Sequence, residues 1–222
     1  MSTRTYGQYC GLARAMEMVG ERWALLIVRD LLVGSKRFTD LHRGLAGIPT
    51  NVLTDRLKEL EQVGVVRRRL LPRPAGSIVY ELTEYGGELE DVLHRFGLWG
   101  AKSLGDPRPG EIITADSMVM AMRSTFRPEA ARGTRASYEL HFGEIVINVR
   151  VRGAKLVVEK GPLPGADLVV QAGIRIKSMM TGEMTPAEAL RSGAIHIIGD
   201  PALLTRFAEM FRIDPLPQAA AV

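Results

Sequence analysis

The 222-residue chain has one cysteine, Cys10, and four histidines. A single thiol excludes an intramolecular disulfide framework and any multi-cysteine metal site. His42, His94, His141 and His196 lie far apart, without the short spacings that set two ligands on one helix face, so no metal and no cofactor is expected. No apolar run approaches the roughly 18 residues that a membrane span needs. The opening "MSTRTYGQYC" lacks the apolar core of a signal peptide, so a cytoplasmic location is expected. There is no dinucleotide fingerprint, no Walker-type phosphate loop and no Gly-x-Ser-x-Gly elbow. With no paired carboxylates and no nucleophile with its base to assign, an enzyme is disfavoured.

What is present is a globular composition, 46% hydrophobic and 24% charged, with a net charge of +4. The charge is uneven. From Lys36 to Arg73 nine basic residues face four acidic ones, a hint of an acidic partner.

"GDPRPGE" interrupts the periodic pattern with two prolines and two glycines and marks a boundary. The expected organisation is a first domain over 1–105, a linker at 106–111, a second domain over 112–214 and a loose tail at 215–222. In the first, "GLARAMEMVG" and "ERWALLIVRDLLVG" are apolar helices, each ending at a glycine suited to a left-handed cap. "RFTDLHRGLAG" is a third helix, and a fourth starts near Pro49 with Leu53, Leu57 and Leu60 on one face and Gly64 at its end. Two strands, "VVRRRLLP" and "SIVYELT", follow around a turn, and Thr83 caps a last helix. Three helices, a helix-turn-helix and a two-stranded wing predict a winged-helix module.

With the leucines of the fourth helix inward, Asn51, Asp55 and Lys58 point outward and Thr50 and Thr54 flank them. Short polar groups at a helix N-terminus suit base edges in the major groove. Asn51 matches an adenine edge, and Lys58 a guanine or a phosphate. Lys36 and Arg37 before the third helix are further expected DNA contacts, with Arg67 and Arg69 on the first wing strand facing the DNA backbone and Arg73 in its turn reaching phosphate or the minor groove.

The stretch "YCGLARAMEMVGERWALLIVRDLLVGSKRFTDLHRGLAGIPTNVLTDRLKELEQVGVVRRR", with "VYELTEYG" after it, resembles the HxlR-type family of bacterial winged-helix regulators. The resemblance implies operator DNA as partner, homodimers paired through the first and last helices, and an N-terminal cysteine that in several members senses oxidants or electrophiles. Cys10 takes that place, where a helix N-terminus favours thiolate and Arg14 one turn on would assist. Two departures stand out. Ser77 replaces the customary wing arginine, and Cys10-Gly11 replaces Cys-Pro.

The second domain reads as one helix around "DSMVMAMRSTF", then strands in alternating pattern, "TPAEALRSG" with a capping box, a short strand "HIIGD", and a final helix "ALLTRFAEMF" capped by Asp200. This is an α+β unit with an antiparallel sheet. From about Ile112 to Ile213 it resembles a sterol-carrier-protein-type domain, most closely over "ADLVVQAG...MMTGEMTPAEALRSGAIHIIGDPALLTRFAEMF". That resemblance implies an apolar tunnel and a lipid-like or other hydrophobic small molecule as effector. Seven of the ten methionines fall here. The helical stripes Met118, Met122, Phe126 and Phe207, Met210, Phe211 are the expected ligand contacts. The reading is a homodimeric repressor whose operator affinity answers to that molecule. The alternative is a lipid carrier whose winged helix serves mainly in dimerisation or partner binding.

Overall fold

The computed structural model describes residues 5–72, 74 and 76–215. It divides into two compact units, residues 1–93 with 110–112, and residues 94–109 with 113 onward. The division falls inside a helix and not at the Pro-Gly segment, because residues 94–109 pack with the second unit; Lys177 Nζ, for example, donates to the Leu104 carbonyl.

In the first unit α1 (Gly11–Val19), α2 (Ala24–Val33), α3 (Phe38–Gly44) and α4 (Thr50–Gln62) precede a hairpin of β1 (Val66–Leu70) and β2 (Ile78–Leu82). A short α5 (Glu84–Gly87) then leads into α6 (Leu89–Ala101). This is the winged helix-turn-helix order. Between α3 and α4 the chain turns at Gly47, whose φ of +79° is one that a side chain rarely adopts. Leu53, Leu57 and Leu60 of α4 are fully buried against Ile27, Val28, Leu31 and Leu41, each contributing roughly 1.5–3 kcal/mol of burial. Gly64 closes α4 at φ +75°, in the left-handed cap expected of it. Gly20 after α1 is right-handed at φ −76°, so it makes no left-handed cap. The left-handed residue nearby is Trp23, at φ +80°, with the Arg22 guanidinium 5.2 Å over its ring.

One latch holds the wing to the rest of the unit. Thr83 Oγ1 donates to the Gly64 carbonyl at 2.6 Å and accepts from the Gly86 amide at 3.0 Å, while the Thr83 amide donates to the Val65 carbonyl. Gly86 is buried so tightly that a Cβ there would lie 2.1 Å from the Val65 carbonyl oxygen.

The second unit runs α7 (Ala115–Thr125), β3 (Arg135–Phe142), β4 (Ile145–Arg152), β5 (Lys155–Lys160), β6 (Leu168–Gln171), α8 (Ile176–Thr181), α9 (Pro186–Arg191), β7 (His196–Gly199) and α10 (Pro201–Met210). The caps at Thr185 and Asp200 form as the sequence implies: Thr185 accepts from the Glu188 amide at 3.2 Å and Asp200 from the Ala202 amide at 2.8 Å. The sheet order is β5-β4-β3-β6-β7, and β6 pairs with β3 in parallel, so the sheet is mixed and not antiparallel throughout. The reason is topological. After the β3–β4–β5 meander the chain must cross back over β4 and β3 to reach the open edge of β3. The crossing segment is fastened to the sheet by the Leu163 amide donating to Glu139 at 2.5 Å and by Asn148 Nδ2 donating to the Gly161 carbonyl at 3.2 Å.

On the other face Tyr138, Leu140, Ile147, Val149, Leu168 and Val170 are buried, as are Phe207 and Met210 of α10. Tyr138 and Phe207 meet edge to face at 5.3 Å. First and last elements are stitched together: Phe126 and Phe211 form a β-bridge, the Arg212 amide donates to Thr125 and the Ile213 amide donates to Met180.

Candidate nucleic-acid interface

The outward face of α4 is set by its three buried leucines. Thr50, Asn51, Asp55 and Lys58 are exposed and Thr54 is half-buried, so the expected polar set gathers on one face. The threonines are oriented. Thr54 Oγ1 donates back to the Thr50 carbonyl at 2.8 Å, and Thr50 Oγ1 lies 3.4 Å from His42 Nε2 of α3. Asn51, by contrast, is exposed, and its amide makes no side-chain hydrogen bond among the described residues. At the N-terminus of a helix this is the arrangement that offers donors and acceptors to base edges and amide groups to phosphate.

The basic residues behind it fall into three groups. Arg37 is exposed at the N-terminus of α3, where its amide donates to Asp40 at 3.1 Å, and its guanidinium forms no ion pair among the described residues. Arg67 and Arg69 sit on one face of β1 and share Glu81 of β2, at 2.9 and 2.6 Å, with Arg67 directly opposite Glu81 in the register. Arg69 first, then Arg67, holds the Glu81 carboxyl below the usual carboxylate range. Arg68 points to the other face and pairs with Glu61 of α4 at 2.7 Å, which ties wing to recognition helix.

Lys36 corrects the sequence reading. It is only 7% exposed, and its backbone forms a bridge with Tyr80, so it is a structural residue at the root of the wing and not a phosphate contact. Arg73 lies outside the described residues. Ser77, in the place of the customary arginine, has its hydroxyl buried with no hydrogen-bond partner among the described residues.

Sequence reasoning missed Glu81, a shared counter-ion identifiable only once the hairpin register is known. Arg43, outside the expected set of contacts, is exposed in the last turn of α3 without an ion pair among the described residues.

Cys10 is exposed and occupies the N-cap position of α1. The backbone amides of Ala13 and then Leu12 favour its thiolate and lower its pKa. Arg14 does not supply the help expected of it, because it pairs with Glu17 at 2.9 Å.

Of the six apolar residues expected to contact a ligand, the three phenylalanines come together, but against one another. Phe207 and Phe211 stack at 4.5 Å and Phe126 meets Phe211 at 5.4 Å. Met122, Phe207, Met210 and Phe211 are buried, and Met118 and Phe126 half-buried. The three rings fill the space between them, because aromatic rings at these distances leave no room for a guest. A cavity of 340 Å³ lies elsewhere in the second unit, lined by Lys102, Leu104, Lys177, Thr181, Glu183 and Asp214 among others.

A helix-turn-helix with an exposed polar recognition face and a basic wing defines a DNA-binding protein of the winged type. Comparison with known proteins agrees. Residues 18–107 match the family described as HxlR-like helix-turn-helix. The chain is 38% identical over 89 residues to the uncharacterized HTH-type transcriptional regulator YvaP of Bacillus subtilis, covering 82% of that protein and 40% of this one. It is 38% identical over 85 residues to the HTH-type transcriptional regulator YodB of the same organism, covering 76% of it and 38% of this chain. The solved structure of reduced YodB is 32% identical with a TM-score of 0.39, over 46% of this chain and all of that one. The chain belongs to the HxlR-like family and is a DNA-binding transcriptional regulator.

Proposed function

We propose that the protein is a homodimeric repressor that binds an operator through α4 and the wing, and whose affinity is set by a hydrophobic small molecule held in a sterol-carrier-like second unit. The observation that carries operator reading is the exposed set Thr50, Asn51 and Lys58 at the start of α4, above a leucine face that fixes its direction. Thr54 flanks that set, Arg37, Arg67 and Arg69 serve the phosphates, and Glu81 tempers the wing pair.

Dimerisation is supported by two unpartnered apolar stripes. Around α1, Tyr9, Leu12 and Met16 are exposed; along α6, Val92, Phe96 and Trp99 are exposed at helical spacing. Leu89 and Leu93 of α6 pack against the core, but no residue of the helix is fully buried in the single chain, and its Val92, Phe96 and Trp99 face stays uncovered. A dimer would set two recognition helices about 34 Å apart, one helical turn of DNA.

The effector reading rests on the order β6, α8, α9, β7, α10, which matches the order the sterol-carrier resemblance implies. It also rests on a core holding Met120, Met122, Met179, Met180 and Met210, flexible side chains that repack around a guest. Since the Phe207–Phe211 stack is filled, entry of a ligand there requires that core to open, and such a ligand changes operator affinity only if it prefers one dimer geometry. Cys10, exposed and with its pKa lowered, is a second input: modification of its thiolate at the start of α1 would act on the same stripe.

The test is an operator footprint with the purified protein, with and without material extracted from it by organic solvent. Protection of a defined sequence that weakens steeply with salt and shifts with the extract is the expected result. Absence of any sequence-specific, salt-sensitive protection sinks the operator reading, and protection indifferent to extract sinks the effector reading alone.

A further inference from the structure

The net charge of +4 does not belong to the unit that carries the helix-turn-helix. Residues 1–93 with 110–112 hold 13 Lys and Arg against 13 Asp and Glu, so the excess at the wing is balanced within its own unit. The second unit holds 16 against 12 and carries the whole surplus.

Part of that surplus is arranged. The register sets Arg135 of β3 opposite Arg152 of β4, and Arg152 opposite Lys155 of β5. Their neighbours Ala136 and Val151 face the core, so the three cations stand in one row on the other face of the sheet. All three are exposed, and none forms an ion pair among the described residues. The acids nearby are engaged elsewhere: Glu159 pairs with Arg150, and Asp167 accepts from the Ser137 amide and hydroxyl at 2.7 and 2.6 Å, with Arg135 adding only the last and smallest of the influences that hold its carboxyl below the usual range.

Like charges placed directly opposite on neighbouring strands destabilise the pair. A row of three is therefore a standing demand for an anion. Its shape selects the kind. The row lies on an open sheet surface and not in a pocket, which suits an extended polyanion better than a small ion. Across three strands it spans roughly 10 Å, close to the axial rise of about three phosphates along one strand of a duplex.

We infer that the Arg135–Arg152–Lys155 row is a second DNA-contact surface, which takes backbone phosphates of the bound duplex. The inference rests on the DNA-binding role of the first unit. Once that unit is on a duplex, tethering raises the local concentration of phosphate for the second, so contacts too weak to bind alone still add to the whole. Such contacts carry no sequence information and serve to hold the protein in place.

The experiment measures binding of the full chain to a random-sequence duplex by fluorescence anisotropy across a range of salt. Each phosphate contact contributes about 0.9 to the slope of log affinity against log salt, so Arg135→Ser/Arg152→Ser/Lys155→Ser should lower that slope by about 2 to 3. A control that removes the same charge at exposed positions away from the row, Arg175→Ser/Arg191→Ser/Arg212→Ser, should leave it within about 0.5, since scattered charges act only through a screened field. Arg135→Lys/Arg152→Lys keeps the charges and should keep the slope, which separates loss of contact from damage to the sheet. Equal slopes for the row variant and the wild type, or equal losses in row and control variants, overturn the inference. Loss of binding to anionic lipid vesicles, with the DNA slope unchanged, overturns it in favour of a membrane partner. A wild-type protein that binds no duplex at all removes the premise as well, a result distinct from unchanged slopes.

Discussion

Replacing Gly86 by alanine should uncouple the wing from the helices. The added Cβ would lie 2.1 Å from the Val65 carbonyl oxygen and 3.0 Å from its carbon, where ordinary contact begins near 3.4 Å. These are backbone atoms, so no side chain can swing aside; α5 or the start of β1 must move. Overpacking of this kind costs about 1–3 kcal/mol. Movement also stretches the hydrogen bond from the Thr83 amide to the Val65 carbonyl, worth about 1 kcal/mol more. A total of about 2–4 kcal/mol in a unit of this size lowers Tm by roughly 10–20 °C. Gly87 provides the control, since a Cβ there meets nothing within 4 Å and its φ is not positive. Gly87→Ala should hold or raise stability by up to about 1 kcal/mol, the usual gain of alanine over glycine in a helix. Calorimetry on both variants is decisive, with the second unit's transition as internal reference. A Gly86→Ala protein that melts with the wild type, or that falls no further than Gly87→Ala, refutes the reasoning.

Asn51→Ala should cost about 1–3 kcal/mol of operator binding while leaving the salt slope unchanged, because a base contact is lost and no phosphate contact; a changed slope with undiminished specificity would contradict this. Glu81→Gln should tighten binding to any duplex at low salt, since Arg67 and Arg69 lose the carboxylate that occupies them, and equilibrium titration showing weaker binding would count against the shared counter-ion. Cys10 should react with iodoacetamide at lower pH than a free cysteine does: its pKa is lowered, so the thiolate forms earlier as pH rises, and a pH–rate profile centred at or above the ordinary thiol value would refute that. Tyr138→Phe should be neutral or slightly stabilising in urea titrations. The Tyr138 hydroxyl is buried without a partner among the described residues, and burial pushes its pKa up to about 12, so a loss of more than about 1 kcal/mol would imply a bond that the structure lacks.

The sequence made legible whatever depends on local chemistry. The leucine spacing of α4, the glycine at its end, and the capping motifs at Thr185 and Asp200 are written in single stretches of chain, and they form as read. What stayed hidden depends on pairing across distance. Lys36 looks like a surface cation beside Arg37, yet it is buried, with its backbone bridged to Tyr80. Arg14 sits one turn from Cys10, yet Glu17 claims it. The parallel pairing of β6 with β3 is invisible to alternation, because parallel and antiparallel strands share the same period of two. The two Met-Phe stripes were legible as buried faces. That their phenylalanines fill the space between them is a matter of ring-to-ring distance, which no spacing rule contains.

The stitch between Phe126 and Phe211 has a consequence for the order of synthesis. Both strands of the wing and the helices α1 to α6 are complete once residue 101 has been made, and the unit's last residues by 112, so that unit can fold while the rest is still being made. The second unit cannot. Its sheet waits for β6 and β7 to find β3, and its first helix waits for residues 211 to 213 to close the bridge and bond Thr125 and Met180. Long-range pairing of this kind is slow. For an interval on every ribosome the chain is therefore a finished first unit attached to an unfinished sheet, and a nonsense mutation between residues 112 and 211 would leave the first unit in place and remove whatever control the second provides.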